Sequence, residues 1–240
     1  MKVFALLALI LAVASAGSLD YYTFTMEVPQ VACDTHSCES QDKGNLGPTS
    51  LNIHGLWPSA TDGNHPEDCQ KNIYDPSLLQ PQVKSGMDSN WVGLYNSTYW
   101  FRWHEYGKHG TCFEEKSGYL RLKSDDQVTQ MNAYFNKALS LKSSFNIEAQ
   151  IFAGEQSDKG YKFTADGIRA AISKAVGVKD ILVECSYNHN TQKQSLSTIE
   201  ICIDLSFNAV DCNKVRDTSK GKYTSTCRDN EDVYVEKMSN

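Results

Sequence analysis

The chain has 240 residues, a formal charge of −6 at neutral pH and a pI near 5.5. That length allows one large domain with a substantial core and is marginal for two. The acidic balance argues against binding governed by long-range attraction to polyanions, and no apolar run approaches the ~20 residues that span a bilayer.

In chain order, residues 1–16 (MKVFALLALILAVASA) carry one lysine, a short apolar run and a small-x-small site at Ala14-Ser15-Ala16. This is the pattern of a secretory signal peptide cut after Ala16. Its removal takes Lys2 with it and moves the formal charge from −6 to −7. No linker, repeat or long charge block divides the remainder of the chain, so residues 17–240 are expected to form a single domain in the secretory pathway, bound for the extracellular space or a lysosome or vacuole. Alternation in residues 49–54 (TSLNIH) predicts a half-buried strand with Leu51 and Ile53 on one face and His54 on the other, ended by Gly55 and Trp57-Pro58.

Asn96-Ser97-Thr98 is the only N-x-S/T sequon, which makes Asn96 the expected glycosylation site. Val128, Met131, Phe135, Ala138 and Leu139 recur at helical spacing, as do Ile168, Ile172, Ala175 and Val176 before Gly177. Strands are predicted over 180–187 and 197–207, the second alternating through Ile199, Ile201, Ile203 and Leu205. Helices and strands mix without a regular βαβ repeat, so the fold class is read as α+β. All eight cysteines lie beyond the leader. An even number in an exported chain implies four disulfides, with 105 pairings open, and the lack of a C-x-x-C argues against structural zinc.

The segment FRWHEYGKHGTC (101–112) crowds His104, Glu105, Lys108 and His109 into six positions. A zinc-binding HExxH helix needs histidines four apart. Here Lys108 holds the fourth position and His109 the fifth, about 140° round a helix from His104. A metal hydrolase is therefore disfavoured, and no metal or other cofactor is expected. The spacing does create two i,i+4 pairs, His104 with Lys108 and Glu105 with His109, on one face suited to proton transfer and anion binding.

Set beside IHGLWPS (53–59), this segment becomes specific. IHGLWP followed by HEYxKHGTC resembles the paired active-site segments of the ribonuclease T2 family of secreted acid endoribonucleases. A VPxxxC start at Val28 to Cys33 and the cysteine-spaced C-terminal strands extend the likeness over most of the chain. The resemblance implies a central, largely antiparallel sheet packed by helices, with the first segment on a strand and the second on a helix. It implies the pairs Cys33–Cys38, Cys69–Cys112, Cys185–Cys227 and Cys202–Cys212.

It also implies the chemistry. The substrate's 2′-OH is the nucleophile, His109 the general base and His54 the general acid. His104 is expected to bind the phosphate, while Lys108 and Glu105 stabilise the phosphorane, with Glu105 also orienting His109. Trp57 is implied to stack the base 5′ to the cut, and Phe101 to line the pocket of the base 3′ to it. Ser59, Val28 and Glu27 stand where some members carry aspartate, tryptophan and glutamine, which leaves base preference open. His36, His65 and His189 lie outside the motifs and are read as ordinary histidines. The expected partner is single-stranded RNA, bound by a monomer with no DNA or membrane partner. A recognition or storage protein that has lost catalysis is the rival reading, disfavoured because both motif histidines are present.

Overall fold

The computed structural model describes residues 18–35, 38, 41–113, 124–158, 160–188, 193–216 and 225–238. The expected signal peptide, His36 and His189 lie outside them. The fold is α+β, a single domain built on one open sheet with helices packed against it.

The sheet runs β2 (Asn52–Ser59), β1 (Tyr21–Glu27), β6 (Lys193–Ile203), β8 (Asp232–Glu236), β4 (Gly160–Thr164) and β3 (Glu155–Ser157). The strands β5 (Leu182–Asn188) and β7 (Ala209–Val210) also pair with β6. All pairings are antiparallel except β6 with β8. The helices are α1 (Pro29–Thr35), α2 (Pro81–Asn90), α3 (Thr98–Lys108), α4 (Ser124–Phe145), α5 (Glu148–Ile151) and α6 (Ala165–Val176). Sulfur–sulfur bonds join Cys33–Cys38, Cys69–Cys112, Cys185–Cys227 and Cys202–Cys212.

β1 is buried along its whole length, and its period of two decides which side does what. Tyr22, Phe24 and Met26 enter the main core with Leu51, Ile53 and Leu56 of the neighbouring segment. Thr23 and Glu27 take the other face, where two cavities open. The register between β1 and β2 slips once, because Thr25 pairs with Gly55 but Met26 pairs with Ile53, leaving His54 as an extra residue. Such a bulge re-aims side chains. Beyond it Leu56 turns into the core, while Trp57 and Ser59 join His54 on the cavity side.

Two sequence expectations need correction here. The β2 strand does not stop at Gly55 and Trp57-Pro58 but continues through them to Ser59. Proline is tolerated because β2 lies at the sheet edge, where a missing N–H breaks no ladder. The predicted strand 197–207 begins earlier and ends at Ile203. The Asp204 carboxylate accepts the amides of Ser206 and Asn208, folding the chain into a turn that leaves Leu205 46% exposed.

The helical stripes do form helices. On α4, Met131, Phe135 and Ala138 are fully buried, and on α6 so are Ile168 and Ile172. α6 ends on Gly177 at φ 83°, a left-handed conformation that suits glycine.

Candidate active site

α3 is held on three sides. The Ser97 hydroxyl caps it by accepting the Trp100 N–H at 3.2 Å. Buried Arg102 projects from its back and donates to the Trp91 carbonyl at 2.8 Å, the Met87 carbonyl at 2.8 Å and the Asp88 carboxylate at 3.0 Å. These bonds satisfy the C-terminal carbonyls of α2 and fix the rotation of α3. Past its last turn, the Cys69–Cys112 disulfide and the Asp68 amide bonded to the Lys108 carbonyl (3.0 Å) join it to the loop after β2.

That rotation aims Phe101, His104, Glu105 and Lys108 at the bulged end of β2. Glu105 is 3% exposed and accepts the Trp57 indole N–H at 2.9 Å. Its other oxygen lies 3.8 Å from His54 Nε2. On the far side of that imidazole, Nδ1 is 3.7 Å from Glu27. Glu27 is itself held by the Asn52 amide at 2.8 Å, and Asn52 also exchanges bonds with the backbone of Val92. The His54 ring meets Trp57 edge-on at 5.3 Å and Phe101 at 5.5 Å. Trp57 in turn lies 5.5 Å from the His109 ring.

Between these groups is a cavity of about 360 Å³ lined by His54, Trp57, His104, Glu105, Lys108 and His109. A second cavity of about 190 Å³ shares His54, His104 and Glu105, and adds Phe101, Tyr95 and Asn96. All five motif side chains therefore converge, Trp57 lies in one cavity and Phe101 in the other. The sequon residue Asn96 stands exposed at the rim of the second. Some pairings differ from expectation: Glu105 turns to Trp57 and His54 instead of to His109. His104 stacks on Trp100 at 5.2 Å and 8°, while the Lys108 ammonium lies 3.3 Å from Glu67. The buried Nδ1 of His109 has no hydrogen-bond partner among the described residues.

The two imidazoles sit in opposite electrostatic settings. Burial lowers the pKa of His54, but the carboxylates of Glu27, Glu105 and Glu200 outweigh it and the net shift is upward. Burial also lowers His109, and there the positive charges of Lys108, His104 and His54 add to the effect, to about 3. Burial pushes Glu105 up to about 7 against the pull of His54, Trp57 and Lys108. One imidazole thus favours the charged form and the other the neutral form, the division that acid–base pairs require.

The family model for the ribonuclease T2 family matches residues 19–212. The chain belongs to the ribonuclease T2 family. It is 32% identical over 197 residues to extracellular ribonuclease LE of Solanum lycopersicum, covering 79% of this chain and 78% of that protein. Ribonuclease Oy of Magallana gigas is 31% identical over 204 residues, 81% and 88% of the two chains. Among solved structures, that of RNase NT in complex with 5′-AMP superposes with a TM-score of 0.69 at 22% identity, covering 92% of this chain and all of that one. Membership makes the chain an endoribonuclease by family.

Several other lining residues carry little or no signal in the sequence. Glu27 has a faint one, because Tyr21, Thr23, Thr25 and Glu27 alternate against Tyr22, Phe24 and Met26. His65 reads as an ordinary histidine, yet it lines the larger cavity with its Nδ1 accepting the Ala60 amide at 2.9 Å. Arg216 and Glu200 lie 2.8 Å apart at the same cavity, and Arg216 reaches Thr23 at 2.7 Å. Residues so far apart in the chain meet only through the sheet, and no local pattern marks them.

Proposed function

We propose that this chain cleaves single-stranded RNA by metal-independent transphosphorylation with low base specificity. The observation that carries the reading is the opposed titration of His54 and His109, two rings that both lie against Trp57. The 2′-oxygen attacks phosphorus as neutral His109 takes its proton. The bond from phosphorus to the 5′ oxygen breaks, and charged His54 gives that oxygen its proton. The product is a 2′,3′-cyclic phosphate, which water then opens to a 3′-phosphate with the two imidazoles exchanging roles.

His104 and Lys108 supply positive charge and donors to the phosphoryl oxygens. Glu105, which accepts the Trp57 N–H and lies beside His54, holds both side chains in place at the phosphoryl oxygens. A metal has no step to perform, since the substrate carries its own nucleophile. Stacking on Trp57 in one cavity and Phe101 in the other tolerates any base and needs no cationic surface, which fits an acidic chain acting on RNA. Support comes also from relatives solved with 5′-AMP and 5′-GMP bound. From the leader expected at 1–16 and the four disulfides we further infer that the chain enters the secretory pathway, and we take it to act as a monomer.

The test is the product. A dinucleotide time course separated by chromatography should show the cyclic phosphate before any 3′-phosphate, with and without chelator. DNA and 2′-O-methyl RNA should resist cleavage. Direct release of a 5′-phosphate would overturn the mechanism.

The pH profile is a second expected result. Activity needs His54 charged and is lost as pH rises through its raised pKa; it needs His109 neutral and is lost as pH falls through about 3. The optimum therefore lies on the acid side. Glu27→Gln removes the carboxylate that does most to hold His54 charged while keeping an oxygen for Asn52, so the alkaline limb moves to lower pH. An optimum above about pH 8, or an alkaline limb unmoved in this variant, would contradict the assignment.

A further inference from the structure

We propose that the outer face of α3 beside the cleft is a stacking platform for the RNA nucleotide that follows, on the 3′ side, the base seated in the smaller cavity. The inference rests on the ribonuclease reading above and extends its substrate from a dinucleotide to a longer strand. Among the described residues, six large apolar side chains are well exposed, and four fall within nine positions: Tyr95 (38%), Tyr99 (54%), Trp100 (47%) and Trp103 (41%). Single exposed apolar residues need no explanation, whereas a cluster of aromatic rings marks a surface that contacts something.

The cluster is continuous with the catalytic groups. Trp100 lies one turn before His104, and the two rings stack in parallel at 5.2 Å and 8°. Trp100 also lines the smaller cavity together with Phe101, so a strand leaving that cavity meets its indole next. Trp103 is three residues further along the helix and Tyr99 is four before Trp103, spacings that set side chains side by side. The platform is rigid, because the Ser97 cap and the three bonds of Arg102 fix α3 from its end and its back. The rings offer π-faces and no cation, so they add stacking and not phosphate attraction. A base is the occupant that such a surface suits when its edge opens onto a phosphate-cleaving centre.

The experiment compares substrates that share one scissile bond and grow by one nucleotide at a time on the 3′ side. In the wild-type chain, kcat/KM should rise about 5- to 150-fold on adding the first extra nucleotide, the range that stacking one base provides. Growth on the 5′ side should give no gain that depends on Trp100. The quantity read is the ratio of long to short substrate within each protein, so any disturbance of His104 cancels. Trp100→Ala should bring the ratio close to one, and Trp100→Tyr should restore most of it. Equal ratios in wild type and Trp100→Ala would overturn the platform, as would a wild type that cleaves the dinucleotide and gains nothing with length. Binding of the same series with 2′-O-methyl ribose, followed by tryptophan fluorescence, reads the platform independently of cleavage. Failure to cleave RNA with length-dependent binding intact would sink the mechanism and leave the platform standing. A concentration-dependent dimer that Trp100→Ala dissolves would assign the face to a second copy of the chain and overturn the proposal.

Discussion

His54→Ala and His109→Ala should each lower kcat/KM on RNA by about 10²- to 10⁴-fold, the usual effect of removing a positioned acid or base. Both side chains are half-buried at the cavity, and neither is part of the apolar core, so thermal midpoints should move little. The losses should not add, since acid and base act in one proton-coupled step and either absence disables it. The residual activities should carry distinct signatures. Without His54 the alkaline limb of the profile disappears, and without His109 the acid limb does. Retention of more than about a tenth of wild-type activity in either variant would remove that residue from the proposed proton transfer.

The chemistry is legible in the sequence because it is local. His54 lies in one heptapeptide and the other four candidate groups in six positions, His104 to His109, at the end of α3 and just past it, so two short motifs contain them all. Geometry between the motifs is not legible. The alternation of TSLNIH reads correctly up to His54, then the bulge inverts it, and a rule that treats glycine and proline as terminators ends the strand at the residues that complete the site. Nothing in the local pattern says that Pro58 sits on a sheet edge, because edges are set by the order in which distant strands pair. The same cause hides Glu27, Glu200 and Arg216. Glu27 shapes the titration of His54 from the neighbouring strand, and its only trace in the sequence is one period of alternation in YYTFTME. Conversely, the i,i+4 rule correctly puts Glu105 beside His109 on the helix but gives the wrong partner. The carboxylate is claimed by the indole of Trp57, which the bulge delivers from β2.

That claim makes Gly55→Ala the most disruptive small substitution at the site. A Cβ at this position would fall onto Trp57 Nε1 and Glu105 Oε2, the two atoms of the bond that joins β2 to α3. Neither end can retreat freely: Glu105 is 3% exposed on a helix fixed by Arg102, and Gly55 pairs with Thr25 inside the ladder. The bond should break and the bulged strand shift, an overpacking effect of about 1–3 kcal/mol in stability. Activity should fall further than stability, by about 10²-fold or more, because displacing a catalytic group by an ångström already costs that much. Trp57→Phe is the control. It keeps an aromatic ring between the histidines and removes the N–H, leaving a buried carboxylate oxygen unpaired at about 1–3 kcal/mol. If the clash is the cause, the double variant Gly55→Ala, Trp57→Phe should lose less than the sum of the single changes, since the methyl then meets a ring without the obstructing nitrogen. Thermal melts and kcat/KM on a dinucleotide measure both terms. A Gly55→Ala chain with wild-type turnover would show that the bond across Gly55 does not set the position of His54 and Glu105.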